Sequence, residues 1–284
     1  MDKTKLTPAA RHALTSAGFD PDGDLVAQLA NTRTGPRSLL TASQYKMQLG
    51  LERGVSTRAM HLSPAQESGF NACPFAGTCV SLCIKYTGHM VTGGAARARI
   101  AKTVWWHIGR ESFLDRLHYE LSRHEAHARK KGLHPAVRPN GTSDYLWERH
   151  GLPQAHPEID FYDYTKVPLD RRKGLPPNYH LTYSVDEQPG SFDNALDYLA
   201  AGHNAAMVVS SPEGTTRGDS KRTIKRILDA GSLFGFPVVD GDTDDLRFMD
   251  PPGSWILLAA KGPATTDRSG FVRRIDVSVV GAAA

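Results

Sequence analysis

The sequence predicts an α/β protein: an incomplete (β/α) barrel, TIM-barrel-like, with about six or seven mostly parallel strands behind a helical N-terminal extension. Three observations carry this expectation. Short apolar or β-branched runs recur from about residue 134 onward, stretches of helical periodicity separate some of them, and each run ends at a polar or charged residue.

Residues 1–50 read as the extension. Thr7 followed by Pro8 fits an N-cap with proline at the first helical position, and opens a helix over residues 9–16. Residues 51–284 then form one barrel-like domain. Its first strand is residues 55–62, bounded by Gly54 and by Ser63-Pro64. Thr92 to His107 has helical composition, and Phe113, Leu114, Leu117 and Leu121 line one face of the helix that follows. Further strands are expected at 136–138, 161–165, 180–185, 205–209, 237–240 and 255–260. Phe192, Ala195, Leu196 and Leu199 repeat at helical spacing, so residues 191–201 form a helix, and residues 220–230 another. Strands separated by helices imply parallel pairing. A doubly wound sheet is the alternative architecture, although no glycine-rich dinucleotide fingerprint accompanies it.

Composition narrows the function classes. Hydrophobic residues make up 40% and charged residues 23%, as in an ordinary globular protein, and no apolar run reaches the length of a membrane span. An intracellular protein is expected. The net charge of +4 is only mildly basic. The denser basic runs, 123–131 and 217–226, suit solvated helix faces, with nucleic-acid contact as the competing reading. No Gly-x-Ser-x-Gly elbow, phosphate-binding loop or His-Glu-x-x-His helix is present, which removes the usual signatures of hydrolases and nucleotidases. His107, His118, His124 and His127 fall on expected helices, where surface or interhelix positions suit them better than catalysis.

All three cysteines, Cys73, Cys79 and Cys83, fall within eleven positions, in a loop that also holds Pro74 and Gly77. An odd number leaves one thiol over from any disulfide, and cysteines used as core hydrophobes would be scattered instead. A metal centre follows. Cys79 and Cys83 lie four apart, which on a helical turn puts both sulfurs on one face while Cys73 reaches in from the loop before. Three thiolates suit a [4Fe-4S] cluster with one iron left open for a small molecule, a histidine or water. Zinc is the competitor, with His89 as the candidate fourth ligand.

In a βα frame the loops after the strands build the site. Candidate cofactor or substrate contacts at those positions are Asn140, Asp144, Lys166, Ser184, Glu187, Asp240 and Lys261. Charged groups among them are costly to bury alone and must pair with one another or with a ligand. Asp242, Asp244 and Asp245 lack the remaining pattern of a calcium loop and read as turn residues.

The segments Leu62-Ser-Pro-Ala, Ser68-Gly-Phe-Asn-Ala-Cys-Pro-Phe-Ala, Cys79, Cys83 and Ala96-Arg-Ala-Arg-Ile-Ala-Lys-Thr103 resemble a family of actinobacteriophage-encoded three-cysteine proteins. The likeness continues through Asn140-Gly-Thr-Ser-Asp144, Tyr164-Thr-Lys166, Leu181-Thr-Tyr-Ser184 and Asp240-Gly-Asp242 to Ala260-Lys-Gly262, covering about residues 38–270. It implies a phage origin, and with it the host cytoplasm, but no particular reaction. A strand, a three-cysteine loop and an incomplete parallel barrel are also, more distantly, similar to the architecture of radical S-adenosylmethionine enzymes. That likeness implies a cluster held by Cys73, Cys79 and Cys83 whose open iron takes S-adenosylmethionine. The spacing here, five and then three residues between cysteines, differs from the three-then-two interval common in that superfamily. Two functions are therefore expected to compete. One is an iron–sulfur protein with a radical enzyme's cofactor; the other is a non-enzymatic phage protein that binds nucleic acid or a host protein and uses a cluster or zinc structurally.

Overall fold

The Thr7 hydroxyl accepts the Ala10 N–H and opens α1 (Pro8–Ser16), with Pro8 in the first turn where its missing N–H is not needed. The computed structural model describes residues 6–41, 45–86 and 91–277. The chain divides into two units. One comprises Met1–Pro74 and Cys83–Phe161, the other Phe75–Leu82 and Tyr162–Ala284.

The first unit continues with α2 (Leu25–Ala30), β1 (Leu40–Thr41), α3 (Tyr45–Glu52) and β2 (Val55–Met60). After the cysteine segment come α4 (Gly93–Ile108), α5 (Arg110–Lys130), β3 (His134–Arg138) and the start of β4 (Asp160–Thr165). β2 runs parallel to β3 from Val55 opposite His134 to Ala59 opposite Arg138, and β3 runs parallel to β4. The short β1 adds an antiparallel edge to β2. The stripe expected on α5 is real: Phe113, Leu117 and Leu121 are buried, with His124 and Ala128 continuing it.

α4 departs from a one-sided amphipathic helix, because Ala101, Val104, Trp105 and Trp106 are buried along with Arg99, Lys102 and Thr103. Charged groups can be buried here because they are paired: Lys102 donates to the Leu39 carbonyl (2.7 Å), and Arg99 meets Glu67 (3.2 Å). Trp106 packs at 4.9 Å on Trp147 and edge-on to Phe113 at 5.5 Å, which makes an aromatic core on this side.

Gly69 joins α1 to the loop after β2. Its φ is +80°, and an added Cβ would lie 2.2 Å from the Ala10 nitrogen. Thr7 also donates its hydroxyl to the Gly69 carbonyl (3.2 Å). Gly69→Ala should therefore cost more than about 3 kcal/mol, through left-handed strain and backbone overlap together, as measured by urea denaturation. An unchanged midpoint would show that α1 shifts freely.

In the second unit, β5 (Tyr179–Ser184), α6 (Ser191–Ala200), β6 (Asn204–Ser210) and α7 (Arg217–Ala230) follow β4. β7 (Ser232–Leu233), β8 (Phe236–Asp240), β9 (Trp255–Ala259) and β10 (Val272–Arg274) complete it. A reciprocal capping box, Thr216 with Asp219, starts α7, and Gly231 in the left-handed region ends it. β5/β6, β6/β9 and β8/β9 are parallel pairs, β7/β8 is an antiparallel hairpin, and β10 adds a parallel partner to the C-terminal part of β6.

Each strand expected from the sequence coincides with an observed one within a few residues, while the short β1, β7 and β10 were not expected. The α/β class with a mostly parallel sheet is thereby in place. The order of strands, however, is not the sequential one of a barrel: β9 lies between β6 and β8. Burial explains the insertion. Trp255, Ile256, Leu257 and Ala259 are buried and suit a central strand, whereas no residue of β8 is fully buried and that strand lies outside β9. Neither unit's strand path returns to its first strand.

Candidate functional site

Parallel pairing brings the C-terminal ends of β2 and β3 side by side, so the loops that follow them, residues 61–74 and 139–146, are laced together. Gly141 N–H donates to the Met60 carbonyl (2.9 Å), the Thr142 hydroxyl to the Leu62 carbonyl, and Asp144 N–H to the Ala72 carbonyl (2.8 Å). Cys73 lies within this lacing. Its Sγ accepts the Ala65 N–H (3.4 Å), and its thiol donates to the Thr142 carbonyl (3.8 Å). Ala65 has φ +48°, an uncommon left-handed conformation for a residue with a Cβ, at the residue whose N–H points to the sulfur.

Near these loops stand His61 and Tyr145, which the sequence did not mark out, and His107, which it placed at a surface or interhelix position. His61 directly follows β2 and is 8% exposed. Burial lowers its pKa to about 3, reinforced by Arg138, Lys102 and Arg99. Gly141 has no room for a side chain, since a Cβ there would lie 2.4 Å from the His61 ring. His107 Nε2 lies 2.8 Å from the Tyr145 hydroxyl, and its ring stacks on Phe70 at 4.1 Å. Burial lowers His107 to about 4, and burial together with Cys73 raises the Tyr145 phenol. The dipeptide Asn140-Gly141 at a strand end was the legible trace of this arrangement; the histidines were not, because only tertiary contact separates them from surface ones.

Cys83 also belongs to the first unit. Burial raises its thiol, against the opposing Lys85 backbone hydrogen bond, while Lys85 and Arg99 both approach Glu67 (3.7 and 3.2 Å). Cys79 belongs to the second unit. The helical turn expected to carry Cys79 and Cys83 together is shorter than that: a single 3₁₀ turn spans Thr78–Val80, and Cys83 lies outside it, ahead of another at Ile84–Tyr86. The glycine and proline content that lets this loop turn tightly also breaks the helix.

Glu187 orders the Cys79 turn, accepting the Thr78 N–H (2.7 Å). Burial opposes its ionisation, but that hydrogen bond and others outweigh it and hold the carboxyl below its usual range. Gly77 lets the carboxylate approach this closely, since a Cβ there would fall 2.2 Å from Glu187 Oε1 and displace it.

Of the other strand-end candidates, Asn140 is a hub of its own loop. Its Oδ1 accepts from Ser143 Oγ, Tyr145 N and Trp147 Nε1 at 2.9 to 3.0 Å. Asp144 is buried in the same loop. Lys166 pairs with Asp186 (3.0 Å) and donates to the Ser184 carbonyl (2.8 Å), which brings the ends of β4 and β5 together. Asp240 accepts the Asp242 N–H (2.8 Å), and Asp242 pairs with Lys261, so this carboxylate bridges the ends of β8 and β9. Asp244 and Asp250 hold the buried Arg247 at 3.1 and 3.2 Å.

None of the three cysteines is in a disulfide, and all are partly exposed. Among the described residues no three His, Cys, Asp or Glu side chains form a group placed to hold a metal ion, and His89 lies outside those residues. No described helix is long and apolar enough to cross a membrane.

Fold and site together define a mixed α/β protein with a mostly parallel sheet and a three-cysteine segment following its first parallel strand. The chain belongs to the gene product 88 family, a family of phage proteins, whose family model matches residues 28–275. No curated protein and no solved structure matches it.

Proposed function

We propose that this protein binds an iron–sulfur cluster of the [4Fe-4S] type through Cys73, Cys79 and Cys83, with one iron left open for a small-molecule ligand. The observation that carries the reading is the setting of Cys73, a thiol in no disulfide, in the loop following β2, whose sulfur accepts a backbone N–H. Such a donor stabilises a thiolate ligand. The reducing host cytoplasm, the compartment proposed here, keeps such thiols free of disulfides.

When bound, the cluster supplies one-electron chemistry, and with S-adenosylmethionine at its open iron the protein is a radical enzyme. On this reading the strand ends face the mouth of an incomplete (β/α) barrel. Asn140 and Asp144 there, with Lys166, Ser184, Glu187, Asp240 and Lys261, are the proposed contacts for cofactor or substrate. The cysteine segment has no continuous helix, so loading must both deprotonate the thiols and gather them, coupling cluster assembly to ordering of residues 73–83.

The test is anaerobic purification with iron and acid-labile sulfide analysis and electron paramagnetic resonance. About four irons per chain and a reducible cluster signal are expected, falling below about one iron in Cys79→Ala. Colourless protein with stoichiometric zinc after anaerobic preparation overturns the reading, and unchanged iron in Cys79→Ala removes that residue from the ligand set. S-adenosylmethionine added to the reduced protein should perturb the resonance spectrum; an unaltered spectrum leaves a cluster protein without the radical cofactor.

A further inference from the structure

We infer that the second unit carries a separate binding pocket for a nucleoside phosphate, lined by Phe192, Met207 and Phe234 and by Arg268, Arg273 and Arg274. The cavity has a volume of about 380 Å³, within the range of small-molecule sites. It lies outside the cysteine segment and uses none of the residues proposed to hold the cluster.

The arginines are oriented by backbone. Arg268 donates to the Pro212 carbonyl (3.0 Å) and Arg273 to the Asp186 carbonyl (2.6 Å), while Arg274 donates to four carbonyls, those of Ser211, Gly214, Thr265 and Asp267. Carbonyl oxygens orient a guanidinium without neutralising it, although at Arg274 burial and Arg268 act against the pull of Asp267, Asp219 and Glu213. Among the described residues no carboxylate forms an ion pair with any of the three. Asp267, which precedes Arg268 in sequence, is engaged by Ser269 and by the Val272 N–H. The Nε atoms of Arg273 and Arg274 are buried and have no hydrogen-bond partner among the described residues. Arg268 and Arg273, each holding one carbonyl, keep further N–H groups suited to phosphate oxygens, and Arg274 adds its charge from the cavity wall.

The aromatic residues point to a ring-bearing ligand. Phe234 and Gly235 form the two-residue turn of the β7–β8 hairpin, with φ +52° and +82°. Such a turn has positive φ at both central positions and favours Asn-Gly, so a phenylalanine at the first is strained. Burial does not compensate, because Phe234 is 56% exposed. Its ring stands edge-on to Phe192 at 5.2 Å, and Phe192 stacks on the buried Trp255 at 5.7 Å. A costly, half-exposed ring lining a cavity that arginines also line suits a stacked base whose phosphates those arginines hold.

The experiment is fluorescence anisotropy of anthraniloyl-ATP with the full-length protein, with ATP, tripolyphosphate and a short oligothymidylate as competitors. Saturable binding is expected, with ATP displacing the probe better than tripolyphosphate. Phe234→Asn should weaken binding by about tenfold through lost stacking, while its melting temperature stays at or above that of the wild type because asparagine suits the turn. Arg268→Gln, an exposed change, should weaken binding about as much and flatten its salt dependence. No saturable binding at millimolar probe overturns the assignment, as does unchanged affinity in both variants. Tripolyphosphate competing as well as ATP removes the ring from the ligand, and oligothymidylate outcompeting ATP replaces a nucleotide site with one for a nucleic-acid strand.

Discussion

Alanine in place of Asn140 should destabilise the fold by roughly 3–5 kcal/mol, read as a fall in the urea midpoint at constant slope. Asn140 is 2% exposed, and its single carbonyl oxygen accepts three donors, the Ser143 hydroxyl, the Tyr145 N–H and the Trp147 indole N–H. Its amide also donates to the Tyr145 carbonyl (2.9 Å). Truncation leaves those donors buried without an acceptor, and a buried orphan costs about 1–3 kcal/mol each. The loss should spread to the core, because Trp147 packs on Trp106. It should reach the cysteine as well, because Thr142, whose carbonyl accepts from Cys73, sits in the same loop. Asn140→Asp retains the accepting oxygen and loses the amide donor, so it should fall between wild type and alanine. A wild-type midpoint for the alanine variant would show that water replaces the hub at little cost.

The second large effect is acid destabilisation well above the carboxylate range. His61 and His124 are kept neutral by the fold, at about 3 and about 4. Burial is the main cause in both, with Arg138, Lys102 and Arg99 adding to it at His61 and Arg58 at His124. In the unfolded chain both take a proton near the ordinary value of 6.5. Below that pH the unfolded state binds protons that the folded state refuses, so stability is complete above about pH 6.5 and falls as pH drops toward the folded values. At one pKa unit per about 1.4 kcal/mol, the two together remove roughly 5 kcal/mol by about pH 4.5. Urea midpoints between pH 7 and 4.5 measure this. His124→Gln should remove about half of the slope these two rings contribute below pH 6.5, because glutamine keeps a polar contact near the Ala136 carbonyl without the titration. A profile flat to pH 5 would mean that both rings accept protons in the native state.

Asn140 illustrates how far residue type carries. Its place after a strand was legible, because a β-branched run ends there and Asn-Gly follows. Its neighbours were not, because three donors from Ser143, Tyr145 and Trp147 converge only once the loop is folded. Asp242 is similar. Read as a turn residue, it ties Asp240 to Lys261, and nothing in local sequence indicates that β9 passes next to β8. The cysteine turn failed for the opposite reason: a spacing of four was read as helical, while Pro74 and Gly77 nearby favoured a tight turn and a single 3₁₀ segment.

Sequence alone determined the alternation of strands and helices, the cap at Thr7, and the three cysteines gathered in one segment. These depend on side-chain periodicity and local hydrogen bonding, which act over a few residues. Tertiary structure decided that β9 enters between β6 and β8, that Cys73 is held between two strand-end loops, and that Phe234 is strained beside three arginines. Those features follow from burial and from contacts between segments distant in the chain, whose energies exist only after the backbone has brought them together.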